Sequence, residues 1–339
     1  MANVGCVFCV VLFNSAMSVR DQKEPVNGKI RIRGNVRQLG DQVQRGFVSV
    51  CSPEGFDPEL PGDQSGRRQL AEWIADANHP LTARVYVNRV WRHLFGRGLV
   101  ESTDNFGAMG QTPSHPQLLD FLANRFVDDG WSTKKLIRLI MCSRVYQLST
   151  DHHPRGQLID DQNRLLWRAN RRRLDAEAIR DSILAISGQM DPAMGGLTIR
   201  KISQYDLGYE FNTVRRSVYV PAFRNAMLDF FEVFDVANPN LVTGNRNTST
   251  LPTQSLYMLN SQPVIQRARD AAERLLADTR LDSGERVRQA YRMTLGRFPT
   301  DVEMQLSQDY LGSFDQNSVD GWASLFQSLF ASLDFRYMN

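Results

Sequence analysis

A chain of 339 residues, 42% hydrophobic and 23% charged, is long enough to bury a core without disulfide or metal staples. Its 40 basic residues against 37 acidic ones leave a net charge of +3, too balanced for nucleic acid or an anionic membrane to be held by bulk charge, so any basic site has to be local. The four cysteines, Cys6, Cys9, Cys51 and Cys142, are too few and too scattered for a disulfide framework, and no histidine follows Cys9, as haem c attachment would require.

In chain order, the apolar run 4–13 with the small triplet Ala16-Met17-Ser18 has the core and cleavage site of a signal peptide at 1–18, but no positively charged start. Elsewhere no stretch approaches the ~18 apolar residues of a membrane span. Ile30, Ile32 and Val36 among basic residues read as short extended segments, and the proline- and glycine-rich 53–66 reads as a linker. This predicts a weakly packed tail at 1–62 and a helical domain at 63–339.

Helical spacing then begins. Leu70, Trp73 and Ile74 mark the apolar face of a first helix over 67–78, which the His79-Pro80 turn ends. Val87, Val90, Trp91, Leu94 and Phe95 form the stripe of a second over 81–95, with Arg84, Asn88, Arg92 and His93 opposite and Gly96 as its stop. A glycine-punctuated loop leads to Ser114, which with Gln117 reads as a capping box for a helix over 116–127. Ser132 caps the next helix, which ends before a polar loop at 149–156. Asp175 is placed to cap a helix to Ser187, stopped by Gly188. Over 198–223 helical period is lost, and Val218 and Val220 alternate as in a strand. Helices resume at Ala226, over 251–260, 263–277 and 283–295, then after the Thr300/Glu303 capping box to Leu311, and last along Trp322, Leu325, Phe326, Leu329, Phe330 and Leu333. The fold class is therefore mainly α: an irregular multi-helix domain with a short β excursion near 198–223 and an extended N-terminal tail.

The run NHPLTARVYVNRVWRHLFGRGLVESTDNFG, followed in order by RLLWRANRRRLDAEAIRDSILAISGQMDPAMGG, TSTLPTQSLYMLNSQPV and AYRMTLGRFPTDVE, resembles the planctomycete-specific C-terminal domain of unknown function 1553. The resemblance runs from about residue 66 onward. It implies an exported or periplasmic protein whose upstream modules often include a cytochrome-c-like one, so that haem c would sit on a separate upstream module and this chain would hold no cofactor. The segment 16–47 looks like the linking tail of the preceding module. The family supplies no reaction to carry over.

Candidate chemistry is sparse. None of the five histidines has a metal-ligand spacing, so no metal site is expected, and the three that precede proline, His79, His115 and His153, read as helix-start residues. As acid/base groups the sequence offers His93, Asp104 and the pair Glu177 and Asp181, four apart on one helical face. As ligand-binding groups it offers Asn88, Arg89 and His115 around the glycine loop, and Arg172, Arg173 and Arg180, whose guanidinium forks suit an anion. The loop 96–115 needs polar partners if buried, and Asp104 is expected to find one among Arg171, Arg172, Arg173 and Arg180. Two readings stay open. One is a non-catalytic accessory or binding module with a polar cleft, working with upstream modules and a polysaccharide or anionic ligand; the other is a hydrolase or lyase acting on a carbohydrate or other polar polymer. Nucleic acid and a membrane span are not expected.

Overall fold

The helical period read along the chain is realised in the computed structural model, which describes residues 21, 24–56, 60–201, 209–315 and 317–338. The described residues hold thirteen α-helices and only short strands. The contacts divide the chain at Asn170/Arg171, inside the stretch treated from sequence as one helical domain, into two compact units.

The first unit begins with an antiparallel hairpin, β1 (Gly28–Arg31) and β2 (Leu39–Val43), whose residues are nearly all exposed. The tail is not loose throughout. Phe47 packs edge-on to Phe56 and stacks on Trp73 of helix α1 (Arg67–Ile74) at 5.5 Å, and Arg45 donates to the Pro61 and Gln64 carbonyls. Then come α2 (Thr82–Phe95), α3 (Pro116–Asp128), α4 (Thr133–Met141) and α5 (Pro154–Ile159). Val87, Trp91 and Phe95 of α2 meet Leu119, Leu122 and Phe126 of α3 and Leu136 and Ile140 of α4 in one core. That is the stripe the spacing assigned, and each such buried side chain contributes roughly 1.5–3 kcal/mol.

The second unit runs β3 (Arg172–Arg173), α6 (Ala176–Ile186), β4 (Arg200–Lys201), β5 (Tyr209–Glu210), α7 (Asp229–Val233), α8 (Pro252–Asn260), α9 (Gln262–Leu276), α10 (Ser283–Leu295), α11 (Asp301–Leu311), α12 (Val319–Ala331), α13 (Leu333–Arg336) and β6 (Tyr337–Met338). Ala268, Ala271 and Ala272 give α9 a smooth buried face, and Trp322, Phe326 and Phe330 of α12 share its core with Ile179 and Ile183 of α6. Small residues on one helix opposite large ones on another let two helices interlock closely.

A buried polar network joins the ends of this unit. Arg173, its side chain 4% exposed, donates to Asp235 and to the carbonyls of Phe234 and Ser249. Asp235, held at φ 61°, also accepts from the Ser249 N–H and hydroxyl. Burial would push the Asp235 carboxyl up, but the bonds from Arg173 and Ser249 outweigh it and hold it below the usual range. Gln254, fully buried, donates to the Val233 and Ser249 carbonyls and accepts from Arg336, which also donates to Ser255. β6 pairs antiparallel with β3, setting Arg172 opposite Met338 and Arg173 opposite Tyr337.

Several expectations are corrected. Ser114 does not cap α3: its hydroxyl bonds His115 Nδ1 at 2.9 Å and its N–H donates to Leu99 O, so the Ser114/Gln117 box is not formed. Asp175 makes no cap bond to α6. The polar stretch after Ser149 contains α5, capped by His153 Nδ1 accepting from the Gly156 N–H. Val218 lies in a 3₁₀ turn at Ser217–Tyr219 and Val220 directly follows it, neither in a strand, while the β excursion is the β4–β5 pair. The restart expected at Ala226 is only the five-residue α7, and the last helix is followed by a separate turn, α13. By contrast Ser132 caps α4, Thr300 and Glu303 form a full capping box, and Arg297 holds the Glu303 carboxyl down at about 2. The run 4–13, the triplet at 16–18, Cys6 and Cys9 lie outside the described residues.

Asp235→Ala should cost about 3–5 kcal/mol in urea unfolding, because it leaves the Arg173 guanidinium buried without a carboxylate. A loss below ~1 kcal/mol, the range of an exposed pair, would show that the network does not hold the unit.

Candidate functional site

The loop 96–115 is fixed from beneath by one side chain. Asn88, 0% exposed on α2, accepts from the Val100 N–H at 2.8 Å and donates to the Val100 carbonyl at 2.9 Å, so a single amide satisfies both backbone groups. Gly98 completes this clamp: a Cβ there would stand 2.5 Å from Val100 O and 2.9 Å from Asn88 Oδ1. Gly110 is equally constrained, 2.1 Å from Asn105 O. The far side of the loop is tied by Ser102, whose hydroxyl donates to Asn105 O and accepts from the Gln111 N–H, each at 2.8 Å.

Above the clamp opens a narrow polar cleft whose rim includes Arg97, Glu101, Gln111, His115, Arg164 and Asn170. Its free space is about 20 Å³, room for about one water, so a ligand reaches into it with a single group rather than lodging whole. Arg97 and Glu101 neutralise each other at 2.7 Å. Arg164 is exposed, and among the described residues its guanidinium has no hydrogen-bond or ion-pair partner. The opposite wall is held by Asn163, buried at φ 50°, which donates to Arg168 O and Asn170 Oδ1.

The acid/base candidates do not form a pair. Glu177 accepts from Arg246 at 2.7 Å, a bond that raises the arginine's pKa, while Asp181 accepts from the Ser217 N–H at 2.7 Å and lies 3.8 Å from both Arg180 and Arg216. Each carboxylate of the shared helical face is thus committed to a different partner. Asp104 lies 3.9 Å from Arg89, both exposed. The arginines at 171–173 and 180 are held elsewhere in the sequence: Arg173 by Asp235, Arg172 with Met338 Sδ, Arg171 4.0 Å from Asp334, and Arg180 by the Thr213 and Arg215 carbonyls and Ser217. Desolvation lowers the Arg180 pKa, opposed by Asp181. His93 sits exposed in the last turn of α2.

Of the histidines before proline, His79 has a defined task. Its buried Nδ1 accepts from the Leu81 and Thr82 N–H groups, giving α2 an N-terminal cap, and its ring stands edge-on to Trp73 at 4.6 Å. Desolvation lowers its pKa, with Asp76 opposing, and protonation would set a third N–H against the two it accepts from. Among the described residues no group of three or more His, Cys, Asp or Glu is placed to hold a metal, and no helix is long and apolar enough to cross a membrane. Cys51 is half-buried and Cys142 exposed, both free.

Residues 66–311 match the PSD1 family, described as protein of unknown function (DUF1553). The chain belongs to this family. No curated protein and no solved structure matches it. The DUF1553 stretch contains the Asn88 clamp, the cleft and α6, whereas Arg336 and β6 lie beyond it. Within that stretch the sequence reading named His115 at the cleft but missed Gln111, Arg164 and Asn170. A signal was present at Asn163, since asparagine is the usual non-glycine residue at a left-handed turn, and the turn it makes presents Arg164. Asn88 was read as a group on the polar face; the structure buries it as the loop's anchor.

Asn88→Ala should lower stability by about 2–4 kcal/mol, since it strands a buried N–H and a buried carbonyl at once; guanidinium unfolding followed by tryptophan fluorescence measures it, and a wild-type midpoint would refute the clamp. The His79 cap contributes fully above the imidazole's unfolded value of 6.5 and is lost as pH falls toward its lower folded value. Melting temperature should therefore fall more steeply below pH 6.5 in the wild type than in His79→Asn, where the cap does not titrate.

Proposed function

We propose that this chain is a non-catalytic accessory or binding module of larger exported planctomycete proteins, of the kind whose upstream modules include a cytochrome-c-like one, and that its loop cleft grips an anionic group of a polar polymer such as a polysaccharide. The observation that carries this reading is the cleft itself: a rim of neutral hydrogen-bonding groups and the Arg97–Glu101 pair, with a second guanidinium, Arg164, that has no hydrogen-bond or ion-pair partner among the described residues. Neutral amide and imidazole groups select hydroxyls, and an uncommitted guanidinium selects a carboxylate or sulfate. The single-water width favours recognition of a protruding substituent or chain end over enclosure of a sugar ring. Glu177 and Asp181, each held by a different partner, speak against a hydrolase or lyase built on that pair.

The test is affinity electrophoresis or calorimetry of the chain with a uronate polymer, a sulfated polymer and a neutral glucan. The anionic polymers should bind and the glucan should not. Arg164→Ala should weaken binding about tenfold, the worth of one charge-assisted contact, without moving the melting temperature of a chain in which this side chain is exposed. Equal binding of all three polymers, or of none, would overturn the proposal.

A further inference from the structure

We infer that the second unit carries a separate binding cavity for a medium-chain apolar carboxylate, a ligand of about ten heavy atoms with a single negative charge. The cavity holds about 290 Å³ and is framed by α6, the start of α9 and the segment 211–214. At ~30 Å³ for a small heavy-atom group, that is room for roughly ten such groups. It is more than ten times the free space of the loop cleft, and its size is near the lower end of ordinary ligand sites.

Its floor is apolar. Ile183 and Leu184 of α6, Phe230 of α7 and Val264 of α9 are each no more than 5% exposed, and the Tyr257 ring stands edge-on to Phe230 at 5.7 Å. An alkyl chain laid on this floor gains about 0.8 kcal/mol per buried methylene, whereas a fully polar ligand would leave its hydrogen-bonding groups unmet against the same wall.

Its polar end is cationic. Arg180 and Arg267 line it, and the bonds of Arg180 go to neutral oxygens, the Arg215 carbonyl at 2.9 Å, the Ser217 hydroxyl at 3.0 Å and the Thr213 carbonyl. The nearest carboxylate, Asp181, is 3.8 Å away and is shared with Arg216 at the same distance, while Arg267 pairs with Asp270 at 2.9 Å. The charged side chains that line the cavity are thus two guanidinium groups, and neither Asp181 nor Asp270 is part of its wall. A carboxylate matches a guanidinium in shape and charge, and a low-dielectric floor beside it strengthens their attraction.

Titration calorimetry of the full chain with octanoate, octan-1-ol and octylammonium at equal ionic strength tests this. Octanoate should bind one-to-one, octanol at least about tenfold more weakly, and octylammonium not at all. Asn212 is an exposed residue of the cavity wall, so Asn212→Trp should abolish octanoate binding while leaving the melting temperature in place. Arg267→Gln should weaken octanoate about tenfold and leave octanol unchanged, which separates charge recognition from general stickiness. Equal affinity for the three probes, no octanoate binding at millimolar concentration, or unaltered octanoate binding by Asn212→Trp would each overturn the inference.

Discussion

The second unit depends on a buried charge. Arg173 lies in a two-residue strand, with its guanidinium out of water, and Asp235 answers it from a left-handed turn that asparagine and aspartate tolerate better than most residues. A carboxylate so placed would ordinarily be expensive, yet three donors hold it ionised: the arginine, the Ser249 N–H and the Ser249 hydroxyl. Gln254 and Arg336 extend the network to α8 and to the end of the described chain. Each member satisfies another, so the arrangement is stable only as a whole, and the same property makes it selective for one way of assembling α6, α7, α8 and α13.

This network accounts for much of the polarity of the chain's own sequence blocks. The arginine run, the TSTLPTQSLYMLN block and the carboxylates of α6 have the residue types of an active site. The structure places them as internal fasteners: Arg173 on Asp235, Gln254 on Ser249, Glu177 on Arg246. In the first unit Asn88 does likewise with an amide. Polar groups inside a core are costly unless they are hydrogen-bonded, so the identity of each partner is constrained.

The helices were legible because their cause is local. A buried stripe such as Val87, Trp91 and Phe95 has to repeat at helical spacing, and Gly96 and Gly296 stop helices where a positive φ is needed, at 82° and 68°. Ser132 and Thr300 could be read as caps because their partners are three residues away. Partner choice across long separations was not legible. Ser114 looked like a cap, but a backbone carbonyl fifteen residues back takes its N–H and the neighbouring imidazole takes its hydroxyl; Arg89, 3.9 Å from Asp104, comes from the preceding helix. Val218 and Val220 showed why period-two burial alone does not make a strand, since a 3₁₀ turn and the residue after it also leave one exposed and the other buried. His115 lies on the cleft rim, whereas Arg164 arrives there through a turn whose geometry no spacing rule encodes.

The pairing of β3 with β6 also sets an order of events during synthesis. Arg172 and Met338 are 166 positions apart, so β3 finds its partner only after α6 to α13 have been made. Until then Arg173 can meet Asp235, but Gln254 lacks Arg336, and a two-residue strand lies unpaired. On the ribosome the nascent unit therefore waits with one edge open, and a chain halted before Arg336 would carry α6 to α12 yet lack the fastening that closes the unit.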